Sequence, residues 1–128
     1  MSETLTANIE QYFKTHDLAY VAEDAVFKDQ TTGDEAKGRQ AIGEMLNYIY
    51  HVAFDARAEV KNTIITDKKA TLEATFIGKH IGDFSGIPAT GKEVKVRLCV
   101  TYDINDEGLI QEARIYMLGS VMFQQLQG

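Results

Sequence analysis

The spacing of apolar side chains along the chain changes once, near residue 54. Before that point apolar residues recur every three or four positions, as they do on one face of an α-helix. This spacing predicts a helix over residues 3–15, with Ser2 as its N-cap, and another over residues 39–52. After residue 54 apolar and polar positions alternate, which is typical of strands that bury one face.

Four long strands account for most of the second half of the chain. The alternation predicts strands over residues 55–66, 70–80, 92–104 and 109–117. Residues 105–108, with the sequence NDEG, form the predicted hairpin turn between the last two. The shorter predicted elements are a helix over 18–23 capped by Asp17, a strand over 25–29, a polar loop over 30–38 and a terminal helix over 120–127.

Residues 78–92 are the most distinctive segment of the chain. They contain four of the ten glycines, the only proline and one of the three histidines. Because glycine and proline interrupt regular structure, they predict a long, shaped loop whose glycines adopt positive φ angles. His80 lies where the preceding strand ends, on the same face as Leu72, Ala74 and Phe76. A polar group at a strand end can be presented to a ligand, so His80 is a candidate site residue. The alternative is a histidine at the edge of the core that is hydrogen-bonded to backbone.

Helices followed by a run of strands indicate an α+β fold rather than an alternating α/β fold. The length of 128 residues is near that of a typical domain, so we expect one domain over residues 1–128. The predicted architecture is a curved antiparallel or mixed sheet with three helices on its concave side. Such an arrangement forms a cone with an open mouth.

Composition narrows the range of partners. The net charge of −6 argues against nucleic acid, whose phosphates require clustered lysine and arginine. No apolar run approaches the length of about 20 residues that crosses a membrane, so no membrane partner is expected. The segment Met1–Leu5 lacks the basic and apolar blocks of a secretory signal, and we therefore expect a cytoplasmic protein.

Common cofactor and metal motifs are missing from the sequence. It contains neither a glycine-rich dinucleotide motif nor a phosphate-binding loop. Cys99 is the only cysteine, and the three histidines are far apart, so we expect no metal site and no cofactor. A pocket that works without a cofactor needs an apolar wall and one or two groups that can move a proton.

Several motifs resemble those of the SnoaL-like polyketide cyclase (ester cyclase) family. Residues 78–92 are similar to its G-x-H-x-G-x-F-x-G-I-P-P-T-G-K/R signature, with Ala89 in place of the second proline. Asp24, Phe27 and Asp29 resemble its D-x-x-F-x-D-P segment, with Gln30 in place of the proline. Further matches are Gly38, Arg39 and Ile42 to its G-R-x-x-I helix start, and Gln125 and Leu126 to its terminal Q-L.

The resemblance implies the cone-shaped nuclear-transport-factor-2-like fold and a homodimer formed through the sheet. It implies a pocket for a small apolar carbonyl or polyketide-like compound, with His80 as acid or base and either Asp29 or Tyr116 assisting. The pocket residues expected on this basis are Phe76, Tyr48, Leu98, Val100, Tyr116 and Leu118. Asp29 has an alternative role, because a carboxylate after a strand often forms a turn.

The last strand departs from the family pattern. Glu112 matches the family's E-x-W-x-x-x-D motif, but Arg114 replaces the tryptophan and Leu118 replaces the aspartate that acts as acid or base. Leucine cannot transfer a proton, so two functions remain open. The chain is either a cofactor-free cyclase or isomerase that relies on His80, or a binding protein that has lost the catalytic carboxylate. The pattern also leaves open which face of this strand lines the pocket.

Overall fold

The computed structural model describes residues 3–127, so the predicted Ser2 cap lies outside the described residues. Within that range the helices are α1 (Glu3–Thr15), α2 (Gly38–Asn47) and α3 (Gly119–Gln127). The strands are β1 (Val21–Asp29), β2 (Glu35–Lys37), β3 (Phe54–Ile65), β4 (Lys69–His80), β5 (Glu93–Ile104) and β6 (Ile110–Met117). A 3-10 turn (Leu18–Tyr20) precedes β1, and a π-helical turn (Tyr48–Val52) continues α2.

The six strands form one mixed sheet in the order β2-β1-β6-β5-β4-β3. β1 runs parallel to β6, and every other neighbouring pair is antiparallel. The two edge strands, β2 and β3, do not pair with each other, so the sheet stays open rather than closing into a barrel. Three helices and an open mixed sheet confirm the predicted α+β cone.

The alternation in β4 and β5 decides which face of the sheet is buried. Phe76 is fully buried and packs edge-on against Phe54 of β3, with ring centroids 5.3 Å apart. Tyr102 of β5 packs edge-on against Tyr12 of α1 at 6.1 Å. Fully burying one such side chain stabilises the folded state by roughly 1.5–3 kcal/mol. These contacts therefore hold the helices against the concave face. None of the helices within residues 3–127 is long and apolar enough to cross a membrane.

Two short elements differ from the sequence prediction. The helix predicted over residues 18–23 ends at Tyr20, although Asp17 does cap it by accepting a hydrogen bond from the Ala19 N–H at 2.9 Å. Val21 is buried and pairs with Ile110 of β6, so the sheet extends β1 back to this residue. The predicted loop over residues 30–38 contains β2, whose three residues are too few to show a period.

The loop between β4 and β5 uses its glycines in two ways. Gly86 and Gly91 have φ angles of 81° and 71°, as predicted for a loop that needs left-handed backbone. Gly82 does not, and the expectation of a positive φ there is wrong. Its requirement is steric, because a Cβ at this position would lie 2.4 Å from the Val52 carbonyl oxygen. The Gly82 N–H also donates to the Ala53 carbonyl at 3.0 Å, so this contact joins the loop to the π-helical turn.

The two kinds of glycine predict different costs of substitution. Gly82→Ala should lower the free energy of unfolding by about 3 kcal/mol or more, because backbone must move to admit the Cβ. The Cβ added by Gly86→Ala would meet open space. This variant should lower the free energy of unfolding by only about 1–2 kcal/mol, because alanine is strained in the left-handed conformation. Urea denaturation of the two variants measures the difference. Equal losses would mean that the close approach at Gly82 relaxes freely.

Candidate functional site

A cavity of about 610 Å³ opens on the concave face of the sheet, between the strands and the helices. Its interior wall is formed by buried side chains of α1 and of strands β1, β4 and β5, namely Tyr12, Phe27, Leu72, Phe76, Leu98, Val100 and Tyr102. Met45, Leu46 and Ile49 contribute from α2 and the turn that follows it, and Ile115 and Met117 from β6. Most of this wall is apolar, so it can exclude water from a bound ring system.

Three tyrosines bring hydroxyl groups into this apolar wall. Tyr12 comes from α1, Tyr50 from the π-helical turn and Tyr102 from β5. Within residues 3–127 none of the three hydroxyls has a hydrogen-bond partner on the protein, and none is sealed away from the cavity. Burial raises the pKa of Tyr50 to about 12 and raises the pKa of Tyr12 and of Tyr102 well above the usual value. All three are therefore neutral donors over the physiological pH range.

His16 lies in the same wall and contacts this tyrosine cluster. Its ring centroid is 4.8 Å from that of Tyr50 and 5.6 Å from that of Tyr12. Burial, and to a lesser degree the nearby His51, lowers the pKa of His16 below its usual 6.5. The imidazole is consequently neutral at pH 7 and can accept a proton.

The backbone at His16 is held in an uncommon conformation. Its φ angle is 55°, in the left-handed region that usually takes glycine, at the position where α1 ends. Its N–H donates to the Tyr12 carbonyl at 2.7 Å, which completes the helix terminus. A left-handed residue directly after a helix is a common way for the helix to end, and histidine is one of the non-glycine residues that adopt this conformation. Sequence reasoning missed His16 as a site residue, although it follows Tyr12 by four positions and so extends the apolar stripe of α1.

His80 does not contribute to the cavity wall. It faces the core side of the sheet, as the strand phase predicts, but it is fully buried and absent from the lining residues. Its Nδ1 accepts from the Thr90 N–H at 3.2 Å and lies 3.0 Å from the Thr90 hydroxyl oxygen, while its ring packs on Phe54 at 5.1 Å. These contacts join the end of β4 to the end of the loop, so His80 shapes the loop from within.

Asp29 combines the two roles that the sequence left open. Its carboxylate lines the cavity. It also accepts hydrogen bonds from the Thr31 N–H at 2.8 Å and the Thr32 N–H at 3.3 Å, which makes it the turn-forming residue after β1.

The register of β6 settles which of its faces lines the cavity. Ile115 pairs with Val100 and Met117 pairs with Leu98, so these two side chains point inward. Tyr116 and Leu118, expected in the pocket, are instead about half exposed and do not line it. The expectation fails because Tyr116 pairs with Cys99 on the outer face, and because Leu118 follows the last residue of the strand. Phe76, Tyr48, Leu98 and Val100 do lie in the wall.

The outer face of β6 carries a charged network in place of a pocket. Arg114 donates to both carboxylate oxygens of Asp103, at 2.9 and 3.2 Å, and also to Glu112. Hydrogen bonds from Arg114, and next from Lys69, lower the pKa of Asp103 to about 2. This network links β5 to β6 on the outer face, but it is partly exposed and screened by solvent, so its contribution to stability is small.

The loop after β4 borders the mouth of the cavity. Phe84 and Ser85 reach the lining, and the Tyr48 hydroxyl donates to the Asp83 carbonyl across the mouth. Among the residues described, no three histidine, cysteine, aspartate or glutamate side chains are grouped so as to hold a metal ion.

Solved structures with the same fold cover nearly the whole chain. A protein from Jannaschia sp. CCS1, assigned as a SnoaL-like polyketide cyclase, superposes with a TM-score of 0.84 at 15% identity and covers 100% of this chain and 96% of its own. IdmH from Streptomyces antibioticus, assigned as a polyketide cyclase, has a TM-score of 0.75 at 22% identity, with coverage of 98% and 97%. A protein from Xanthomonas campestris pv. campestris with the same assignment has a TM-score of 0.80 at 20% identity, with coverage of 95% and 96%.

The sequence itself gives the family more directly than these distant structures do. No curated protein matches the chain significantly. The family model described as SnoaL-like polyketide cyclase matches residues 9–126, which run from the middle of α1 through all six strands and α2 into α3. The chain therefore belongs to the SnoaL-like polyketide cyclase family.

Proposed function

We propose that this protein binds a small, mainly apolar carbonyl or polyketide-like compound in the cavity on the concave face. The observation that carries the proposal is the set of unpartnered hydroxyls of Tyr12, Tyr50 and Tyr102 within an apolar wall. A ligand carbonyl would accept hydrogen bonds from them, while its rings replace water against the apolar side chains. The cavity volume of about 610 Å³ suits a compound of two to four fused rings.

Binding comes first in this proposal because the family's acid or base is missing. Leu118 replaces that aspartate, and its side chain lies outside the cavity lining. His80 does not compensate in this proposal, because it is fully buried and is not among the residues that line the cavity.

Cofactor-free acid–base catalysis is a second candidate function, and His16 favours it. A neutral imidazole in the wall could take a proton from the carbon beside a bound carbonyl. The electron pair left on carbon would shift to the carbonyl oxygen, and the tyrosine hydroxyls would stabilise the resulting enolate. In a β,γ-unsaturated ketone the enolate is conjugated with the C=C bond, so return of the proton from His16 to the γ-carbon would complete an isomerisation to the α,β-unsaturated ketone with no group consumed.

The binding proposal predicts that the hydroxyls select for a carbonyl. 2-Acetylnaphthalene should bind more tightly than 2-ethylnaphthalene, which has a similar shape and no acceptor. Tyr12→Phe or Tyr102→Phe should weaken binding of the ketone about 3- to 10-fold, the size of one hydrogen bond. Tyr116→Phe removes the same hydroxyl from the outer face and should have no effect. Isothermal titration calorimetry measures each dissociation constant.

Two outcomes would contradict this proposal. If the ketone and its ethyl analogue bind equally well to the wild-type protein, the hydroxyls do not hold a carbonyl. If neither compound binds at millimolar concentration, the cavity is not a site for apolar ring compounds.

The state of His16 predicts how stability depends on pH. Its pKa is lowered in the folded protein relative to the unfolded chain, so below about pH 6.5 the unfolded state binds more protons. The free energy of unfolding should therefore fall as pH drops from 7 to 5, and His16→Asn should flatten that slope. His51→Asn, at an exposed position, is the control and should retain most of it. An unchanged slope in His16→Asn would mean that the pKa of His16 is not lowered by folding.

Two expectations about the molecule's setting, a cytoplasmic location and a homodimer, stay proposals. The dimer is supported by the outer face of the sheet, which the helices leave uncovered. This face presents the exposed Tyr116 and Ile64 beside the charged residues Lys69, Asp103 and Arg114. A surface that carries both signs of charge next to apolar side chains can be self-complementary, as a twofold interface requires.

The dimer proposal predicts that a charge at the centre of this face separates the subunits. Tyr116→Glu should raise the dimer dissociation constant at least tenfold in sedimentation equilibrium. Ile81→Glu adds the same charge at a similarly exposed apolar position in the loop and should leave dimerisation unchanged. A monomeric wild-type protein at 100 µM, or equal effects of the two substitutions, would contradict the proposal.

A further inference from the structure

Four carboxylates line the cavity. Three lie at the end of β1, in the turn that follows it and in β2, and one lies on α2: Asp29, Asp34, Glu35 and Glu44. Asp34, Glu35 and Glu44 are exposed, so they form the rim rather than the interior. Among the described residues that line the cavity, none is a lysine or an arginine. Since His16 is neutral at pH 7, the wall carries a negative charge that no residue of the wall balances.

The partners of these carboxylates leave most of that charge available. Asp29 accepts only backbone N–H groups of its turn, and Glu44 accepts the amide of Gln40 at 3.3 Å. Glu35 has a loose ion pair with Lys37 at 3.8 Å, in which both side chains are well exposed. The Asp34 carboxylate has no side-chain partner within residues 3–127. Exposed ion pairs of this kind are weak and do not neutralise the carboxylates, so the rim remains acidic.

A second feature of the cavity points to a ligand independently of the acids. Tyr12 and Tyr102 are more than nine-tenths buried, yet their hydroxyls meet no partner on the protein. Unpartnered donors that open onto a cavity can bind an acceptor from outside the chain. The Tyr48 ring also lines the cavity, and it follows the rim residue Glu44 by four positions, about one helical turn. Aromatic faces next to carboxylates are favourable surroundings for an organic cation.

We propose that the ligand is an aromatic or polycyclic carbonyl compound that also carries a protonated amine, which the acidic rim binds. This inference rests on the proposed function, because it assumes that ring compounds bind in the cavity. The carbonyl is held by the interior tyrosine hydroxyls, and the ammonium group lies among the rim carboxylates. Compounds with a carboxylate or phosphate at that end are repelled. The four acids are thus the specificity-determining residues for the charge of the ligand.

Three probes on one scaffold test this selectivity. Each is 2-acetylnaphthalene substituted at ring position 6, with an aminomethyl, an ethyl or a carboxylate group. At 20 mM ionic strength the aminomethyl compound should bind at least 10-fold more tightly than the ethyl compound. The carboxylate should bind at least 10-fold more weakly than the ethyl compound. Raising NaCl to 0.5 M should shrink both differences, because screening shortens the reach of exposed charges.

Matched double variants identify the source of the selectivity. Asp34→Asn with Glu44→Gln removes two rim charges, and should lower the ratio of aminomethyl to ethyl affinity at least threefold. Asp67→Asn with Glu107→Gln removes the same charge at positions away from the cavity and should preserve the ratio. Both pairs are exposed, so folding is retained, and thermal unfolding checks it.

The possible results separate this inference from the function on which it rests. If the three probes bind with similar affinity, the charge selectivity is overturned while a cavity for carbonyl compounds stands. If the two double variants lower the ratio equally, the net charge of the protein is responsible and the rim assignment is overturned. If none of the probes binds, the proposed function fails together with the inference.

Discussion

The register in which β5 pairs with β6 decides which side chains can reach a ligand. Val100 opposite Ile115 and Leu98 opposite Met117 place four apolar side chains on the concave face. A slip of one residue would turn Arg114 and Tyr116 inward and expose the apolar set. The paired hydrogen bonds from Arg114 to Asp103 on the outer face oppose that slip. Burial of the apolar set specifies this register, and the ion pair on the outer face adds a small contribution to it.

The cavity leaves space that a closely packed core would fill. A core packed to ordinary density would leave no space of about 610 Å³. The hydroxyls of Tyr12, Tyr50 and Tyr102 have no hydrogen-bond partner on the protein within residues 3–127 and stay open to this space. Phenylalanine at Tyr12 and Tyr102 would form the same wall without a polar group. An apolar space with a few polar groups in its wall is what one expects of a surface shaped for a ligand.

The long periodic elements could be predicted from the sequence. Whether a residue on the core-facing side of the sheet lines the cavity or is buried away from it could not. Period two assigned Leu72, Phe76 and His80 to one face of β4, and the structure agrees. Alternation gives the face but not what covers it, and the loop and Phe54 bury His80 away from the cavity. The apolar and polar residues of β6 are mixed on both faces, so the pattern could not choose between them. His16 was overlooked because it ends a helix, although its helical spacing from Tyr12 indicated the inner side.

The central claim is that ligands bind on the concave face, between the tyrosine cluster and the rim. Methyl-resolved NMR during titration with 2-acetylnaphthalene tests this most directly, because both faces of the sheet carry methyl groups. The account predicts shifts at Leu72, Leu98 and Ile115, which line the cavity, and none at Ile64 or Leu118 on the exposed surface. Shifts confined to Ile64 and Leu118 would show that ring compounds bind outside the cavity and would contradict the account.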